Sequence, residues 1–327
     1  MNRHAKILGV ILLSLLIAYS LFGLNKPTVI FWAIALCVGY GLLFVSVRKW
    51  RKRKIRKYHR KHKTIPSTYE DLEKRLESSF SIIPNLKKKL ILPNVTLLSA
   101  TSYKIEETQM AMRISLHNIE FGSVKLLCSS TPQKKYSDTE YISIPPIKRG
   151  MYQKGLHTVD DYSRIIFQDL HKYFNTPYCL IMQADGFVVN ANLWREEFLD
   201  FDYIGAPWPN KVLINPNFII NMKENCVGNG GFSLRSRKLA ETTAKINFNS
   251  LKFPIKNEDL VICHYLYKEM IDKGIRFASP KLAAQFSIED DQHLYGQDVN
   301  SVFGFHAKHL KDYFLKEYMR RAPIGEW

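Results

Sequence analysis

The chain opens with two long uncharged apolar stretches, Ile7–Leu24 of 18 residues and Thr28–Val47 of 20, separated by Asn25-Lys26-Pro27. Either could cross a hydrocarbon core of ~30 Å as a helix rising roughly 1.5 Å per residue. Pro27 is placed to end the first helix and start the second. The pattern predicts a transmembrane hairpin. Further on, Leu72, Leu76 and Phe80 share one helical face within Pro66–Phe80, with Ser67 or Thr68 as N-cap; this reads as a spacer helix or a solvated linker. From Leu90 the pattern shortens. Leu90–Leu92, Val95–Ala100, Val124–Cys128 and Tyr178–Met182 are apolar, strand-length runs. Ile105–Ile119 and Val159–Tyr173 are helix-length, the second with Asp160 and Asp161 in its first turn and Lys172 in its last. Such alternation predicts an α/β domain with a mixed, mostly parallel sheet. The organisation expected is a hairpin with a basic segment over 1–63, a linker over 64–89 and a single domain over 90–327.

Net charge changes the picture only once it is located. Of 47 Lys and Arg residues, 14 lie in residues 1–63, which hold no Asp or Glu. The remainder carries 33 basic against 30 acidic residues, about +3, an ordinary surface balance. Eleven of the 14 fall in residues 48–63, directly after the second apolar stretch. Anionic headgroups are the natural partner of such a run, at about 1 kcal/mol per basic residue, and nucleic acid is not expected. With Arg3 and Lys6 at the other end, the positive-inside rule keeps both ends of the hairpin cytoplasmic. A multi-pass protein of the inner (cytoplasmic) membrane with a cytoplasmic domain is expected.

Five cysteines, Cys37, Cys128, Cys179, Cys226 and Cys263, are far apart in apolar contexts, with no CxxC pair. This argues for reduced, buried thiols and against a structural zinc site or a disulfide framework.

The candidate chemistry sits in three places. The run Tyr178–Met182 ends in Gln183-Ala184-Asp185-Gly186. Ligands of parallel sheets bind beyond the strands' carboxyl ends, where Asp185 would lie. Gly228-Asn229-Gly230-Gly231 then leads into the apolar Phe232-Ser233-Leu234, and Glu258-Asp259 precedes Leu260-Val261-Ile262. Taken singly, each has a plain structural reading: a turn after a strand, a glycine loop, and acids favoured at a helix N-terminus. Arg235 and Arg237 suit either a diphosphate or the surface. Tyr203 reads as a core aromatic and His264 as a packing residue.

Together with Phe201-Asp202-Tyr203-Ile204-Gly205-Ala206-Pro207-Trp208, Phe286-Ser287-Ile288-Glu289 and Phe303-Gly304-Phe305-His306, these motifs resemble a family carrying a domain of unknown function. That family is taken to be glycosyltransferases of the nucleotide-diphospho-sugar transferase (GT-A) superfamily. The resemblance covers roughly residues 90–310. It implies a GT-A, Rossmann-like fold and a donor site including Gln183, Asp185, Gly186, Trp208, Asn229, Gly230, Gly231 and Glu289. It implies a divalent ion, Mn²⁺ or Mg²⁺, on Asp185 and His306, with carboxylate plus imidazole favouring Mn²⁺. Asp259 would be the general base, and Glu258 would bind acceptor hydroxyls.

The usual metal motif of such enzymes is Asp-x-Asp, and Gln183 stands at its first position. The implied function is a membrane-anchored hexosyltransferase of cell-surface polysaccharide or lipopolysaccharide synthesis, acting from a nucleotide-sugar donor on a glycan or lipid-linked acceptor. The alternative is a GT-A-like membrane scaffold or glycan-binding protein without catalysis.

Overall fold

The computed structural model describes residues 89–147, 152–153, 156–157, 160–215, 218–222, 224–289, 294–297 and 301–321. All of them lie in the second of two units of the chain, Ser67–Trp327. The expected hairpin, the basic run, the spacer helix and Cys37 lie outside the described residues. Among the described residues no helix is long and apolar enough to cross a membrane.

Strand β1 (Leu90–Thr101), helix α1 (Ile105–Leu116) and strands β2 (Ile119–Cys128) and β3 (Glu140–Ser143) come first. The two-residue strands β4 (Tyr152–Gln153) and β5 (Leu156–His157) pair with each other. Helix α2 (Asp160–Arg164) follows, then β6 (Tyr178–Met182), β7 (Gly186–Val188), β8 (Tyr203–Gly205), β9 (Lys211–Asn215), β10 (Phe218–Asn221) and β11 (Phe232–Ser236). The remainder is α3 (Arg237–Ala244), α4 (Glu258–Leu260), α5 (Tyr267–Asp272), α6 (Pro280–Phe286), β12 (Ser287–Ile288), β13 (Gly304–His306) and α7 (Lys308–Arg321).

The main sheet runs β3-β2-β1-β6-β11-β8. The pairings β3·β2, β2·β1 and β1·β6 are parallel, whereas β11 is antiparallel to both β6 and β8. The fold is therefore mixed α/β about a mostly parallel sheet. Alternate residues of the central strands enter two separate apolar clusters. Leu97, Leu126 and Leu180 join one with α1, while Leu98, Leu127 and Ile181 join the other with Ile165, Ile166 and Leu170. Successive strand side chains point to opposite faces, so a sheet covered on both sides reads as continuous apolar runs.

Three elements differ from their sequence patterns. The two runs expected at Leu90–Leu92 and Val95–Ala100 form one strand with a register shift between Leu92 and Thr96. Pro93 has no N–H for the ladder, so the strand bulges there, and it fits only because Gly122 opposite has no side chain to overlap the Pro93 carbonyl. Helix α1 stops at Leu116 rather than Ile119, because Ile119 opens β2. The helix expected over Val159–Tyr173 changes pitch: Ile165–Asp169 is a π turn and Leu170–Lys172 a 3₁₀ turn.

Candidate active site

The site is built where β6 ends. Because β11 runs antiparallel to β6, with Phe232 opposite Met182, the chain just before β11 is brought beside the chain just after β6. This sets the Gly228–Gly231 turn next to Gln183-Ala184-Asp185. On its other side β11 pairs with β8, so the Gly205-Ala206-Pro207 turn reaches the same edge, and Gly228 N–H donates to Ala206 O at 3.3 Å.

Asp185 is fixed through its backbone, Gly186 N–H bonding Gln183 O at 3.1 Å and Ala307 N–H bonding Asp185 O at 3.0 Å. The second of these ties the turn to β13, which pairs with β7 through His306 and Gly186. His306 then stands with Nε2 3.3 Å from Asp185 Oδ1 and Nδ1 3.0 Å from Glu289 Oε1. The His306 imidazole beside it holds the Asp185 carboxyl down at about 2, against the opposing effect of burial. For the imidazole, burial pulls downward, but Glu289 and Asp185 outweigh it and raise its pKa to about 10.

The glycine turn separates two charged groups of residues. A Cβ at Gly231 would overlap the His306 ring, so that glycine lets the backbone lie against the imidazole. A Cβ at Gly230 would overlap Glu258 Oε1 and Arg235 Nη2. Gly230 N–H donates to Asp259 Oδ2 at 2.9 Å, and Leu260 N–H donates to Asp259 Oδ1 at 2.7 Å. Asp259 is half-buried. Its neighbour Glu258 is 5 % exposed and meets Arg235, 1 % exposed, at 3.1 Å. Ser163 Oγ approaches the other Glu258 oxygen at 3.4 Å. Burial and the Asp259 charge raise the Glu258 pKa, with Arg235 opposing. A buried guanidinium with a single carboxylate partner favours the ionised pair, since a neutral glutamic acid would leave the cation uncompensated.

Several of the expected site residues are buried or have partners within the protein. Glu258, expected to bind acceptor hydroxyls, is buried against Arg235. Arg235 lies neither at the surface nor free for a diphosphate: Nε donates to Ser233 Oγ at 3.1 Å, and the guanidinium lies 5.1 Å from the centre of the Tyr203 ring. Trp208, expected at the donor, is buried with its ring against Gly228 and donates its indole N–H to Asn229 Oδ1. The Asn229 amide is spent on Trp208 and, at 3.1 Å, on Ala206 O. Asn229 itself sits at φ 56°, the left-handed region that asparagine tolerates better than most residues. The structure thus brings Asp185, Glu289 and His306 together on one side of Gly230-Gly231 and Glu258 and Asp259 on the other, with Gln183 half-buried beside them. Tyr203 is fully buried, as expected of a core aromatic.

Two residues with no motif around them also reach the site. Lys311 of α7, nearly buried, donates to Ala184 O at 2.7 Å and lies 3.5 Å from Glu107 Oε2. Burial lowers its pKa and Glu107 works against that. Tyr162 of α2 carries a buried hydroxyl and directly precedes Ser163, whose Oγ approaches Glu258. Helical spacing of α2 and the position of Lys311 five residues after His306 are the only sequence signals, and neither singles these residues out.

Among the described residues no three His, Cys, Asp or Glu side chains converge as a metal site. The reason is geometric: Glu289 lies on the opposite ring nitrogen from Asp185, so at most Asp185 and His306 face one ion. That pair fits a divalent cation. His306 Nε2 is buried without a hydrogen bond, and its 3.3 Å distance from Asp185 Oδ1 matches the ~3 Å separation of two donors each ~2.1 Å from one ion. Glu289 on Nδ1 supplies the outer carboxylate that commonly orients a ligating imidazole. A proton and a metal ion compete for the same Nε2 lone pair.

A family model described as a protein of unknown function (DUF5672) matches residues 149–306, somewhat less than half of the chain and spanning Tyr162 through His306. No curated protein matches the chain. Among solved structures, a galactosyltransferase LgtC in complex with donor and acceptor sugar analogues is 10% identical, with 70% of this chain and 95% of that one covered and a TM-score of 0.41. The apo-form glycosyltransferase GlyE of Streptococcus pneumoniae TIGR4 is 13% identical, covering 71% and 60%, at 0.42. Mouse xyloside xylosyltransferase 1 in its apo form is 10% identical, covering 68% and 99%, at 0.37. At such scores these likenesses carry no weight for fold or reaction.

Proposed function

We propose that the chain is a metal-dependent glycosyltransferase that moves a sugar from a nucleotide donor to a glycan or lipid-linked acceptor at the cytoplasmic face of a membrane. The observation that carries the reading is the His306 Nε2 atom, buried without a hydrogen bond beside Asp185 at the carboxyl end of β6. Asp185 and His306 would hold Mn²⁺ or Mg²⁺, with Glu289 orienting the imidazole. When bound, such an ion supplies positive charge for the diphosphate of the leaving nucleotide. Asp259, held by two backbone N–H groups across the glycine turn, takes the proton of the acceptor hydroxyl as its oxygen attacks the anomeric carbon. The bond between that carbon and the diphosphate breaks, and the nucleoside diphosphate departs. Glu258 and Arg235 keep the Gly230 backbone in place rather than touching the acceptor.

The test is a thermal-shift and hydrolysis screen of the full chain against UDP-, GDP- and dTDP-sugars with and without Mn²⁺. An Mn²⁺-dependent shift of several degrees and slow donor hydrolysis are expected, and Asp185→Ala and His306→Ala should remove both. If no sugar nucleotide shifts or is hydrolysed, the reading fails. Gln183 favours a second reading, a scaffold without catalysis, because a neutral amide is a poor ligand for a hard cation. Unchanged cellular function of Asp185→Ala and Asp259→Ala would support it. The membrane anchor rests on the hairpin pattern and the basic run. Flotation of the full chain with phosphatidylserine vesicles should weaken when the Lys and Arg of residues 48–63 are replaced by Ser.

A further inference from the structure

The carbonyl oxygens of residues 182–185 each have a partner, and the partners differ in kind. Met182 O accepts from Ser99 Oγ at 2.7 Å, and Gln183 O from Gly186 N–H at 3.1 Å. Asp185 O accepts from Ala307 N–H at 3.0 Å. Ala184 O accepts from the Lys311 ammonium at 2.7 Å, a side chain 127 residues along the chain. Lys311 N–H in turn bonds Ala307 O at 2.9 Å. The two peptides that flank Asp185 are therefore held from one helical turn, and that turn directly follows His306, the last residue of β13. The stretch His306–Lys311 carries the imidazole and both clamps on the Asp185 backbone.

Packing alone would place an apolar residue at 311. Leu310, Phe314 and Leu315 of the same helix are buried in the core, and Lys311 is nearly as buried, at 8 % exposed. Taking an ammonium out of water is costly. Glu107 stands 3.5 Å from it, but that carboxylate is partly solvated and is shared with Lys104 at 3.6 Å. Methionine would fill the space without that cost. It could not hold the Ala184 carbonyl. We propose that Lys311 is a positioning residue for the divalent cation site: by holding that carbonyl from the turn after His306, it fixes how the Asp185 carboxylate faces His306 Nε2. It acts through the Asp185 backbone and not by contact with the ion. This inference rests on the metal-dependent reading of the same site.

The test uses the full chain as wild type, Lys311→Met, Leu310→Ala and Asp185→Ala, with Mn²⁺ alone as the probe. Binding is read by water-proton relaxation, and the part lost in Asp185→Ala is the binding at this site. Outer groups that orient a metal ligand are commonly worth tenfold or more in affinity, so Lys311→Met should weaken Asp185-dependent Mn²⁺ binding about tenfold. Its Tm without metal should stay within a few degrees of wild type, since apolar replacement of a buried charge is often neutral. Leu310→Ala leaves a cavity in the same turn and should lower Tm by several degrees, with Mn²⁺ affinity within about twofold of wild type. Unchanged affinity in Lys311→Met overturns the assignment, and so does equal weakening in Leu310→Ala, which would reflect a loosened helix. Failure of Lys311→Met to fold where Leu310→Ala is folded would mean that the lysine serves the fold, and overturns it too. Each of these results leaves the transferase reading standing. Wild-type Mn²⁺ binding no stronger than that of Asp185→Ala removes both this inference and the metal-dependent reading.

Discussion

At the scale of single residues, the two glycines of the turn act through the side chains they lack. Gly231 lies against the His306 ring, so Gly231→Ala must push either the imidazole or the backbone aside. Overpacking of this kind costs about 1–3 kcal/mol. Urea unfolding should show that loss, and the Mn²⁺-dependent thermal shift should disappear with it; retention of the shift would mean His306 tolerates displacement. The Arg235–Glu258 pair makes a separate prediction. Removing either partner leaves a buried charge uncompensated, so Arg235→Met should cost about 3–5 kcal/mol. The double variant Arg235→Met with Glu258→Met should be closer to wild type than either single variant. A double variant less stable than both singles would mean the pair contributes more than charge compensation.

Among whole elements, helix ends and strand irregularities fix the approach to the site. Ser236 ends β11 and caps α3, accepting from Leu239 N–H at 3.0 Å and donating to Asp202 Oδ1 at 2.6 Å. Asp202 in turn accepts from Arg276 N–H at 2.8 Å. Ser279 caps α6 through one bond, from Leu282 N–H at 3.3 Å. Loss of a serine cap costs roughly 0.5–2 kcal/mol. Ser236→Ala should therefore fall at the upper end of that range and Ser279→Ala at the lower, as read by chemical denaturation; the reverse order would contradict the Asp202 link. The central strands β1, β2 and β6 and helix α1 were legible in sequence, because a sheet covered on both faces leaves continuous apolar runs, whereas the short strands β7, β12 and β13 were not. Boundaries were less so. The π and 3₁₀ turns after α2 preserve the apolar spacing of an α-helix well enough to hide the change in pitch, and the Pro93 bulge reads as a gap between two strands.

For the molecule as a whole, the cysteines test the packing. Cys128, Cys179 and Cys263 are buried and Cys226 is half-buried. Burial pushes the Cys179 and Cys263 thiols well above their usual value. Only the thiolate reacts, so mass spectrometry after iodoacetamide treatment at pH 8 should find Cys226 modified first among these four in the native protein. All four should react in denaturant. Rapid native labelling of Cys263 would mean that the helical turn behind Asp259 opens readily.

By itself the sequence determined the α/β class, the position of the basic charge, and the residue types from which a site could be assembled. These depend on local periodicity and composition, which need no knowledge of partners. Which residues meet was decided by tertiary structure. The antiparallel β11 brings the glycine turn beside Asp185, and the β7·β13 pairing carries His306 there from 120 residues along the chain. The same packing withdrew Glu258, Arg235 and Trp208 into the interior and delivered Tyr162 and Lys311, neither of which any motif marks. Burial and pairing belong to distances between strands far apart in sequence. A single polar residue in a linear pattern therefore looks the same whether it ends facing a substrate or an arginine.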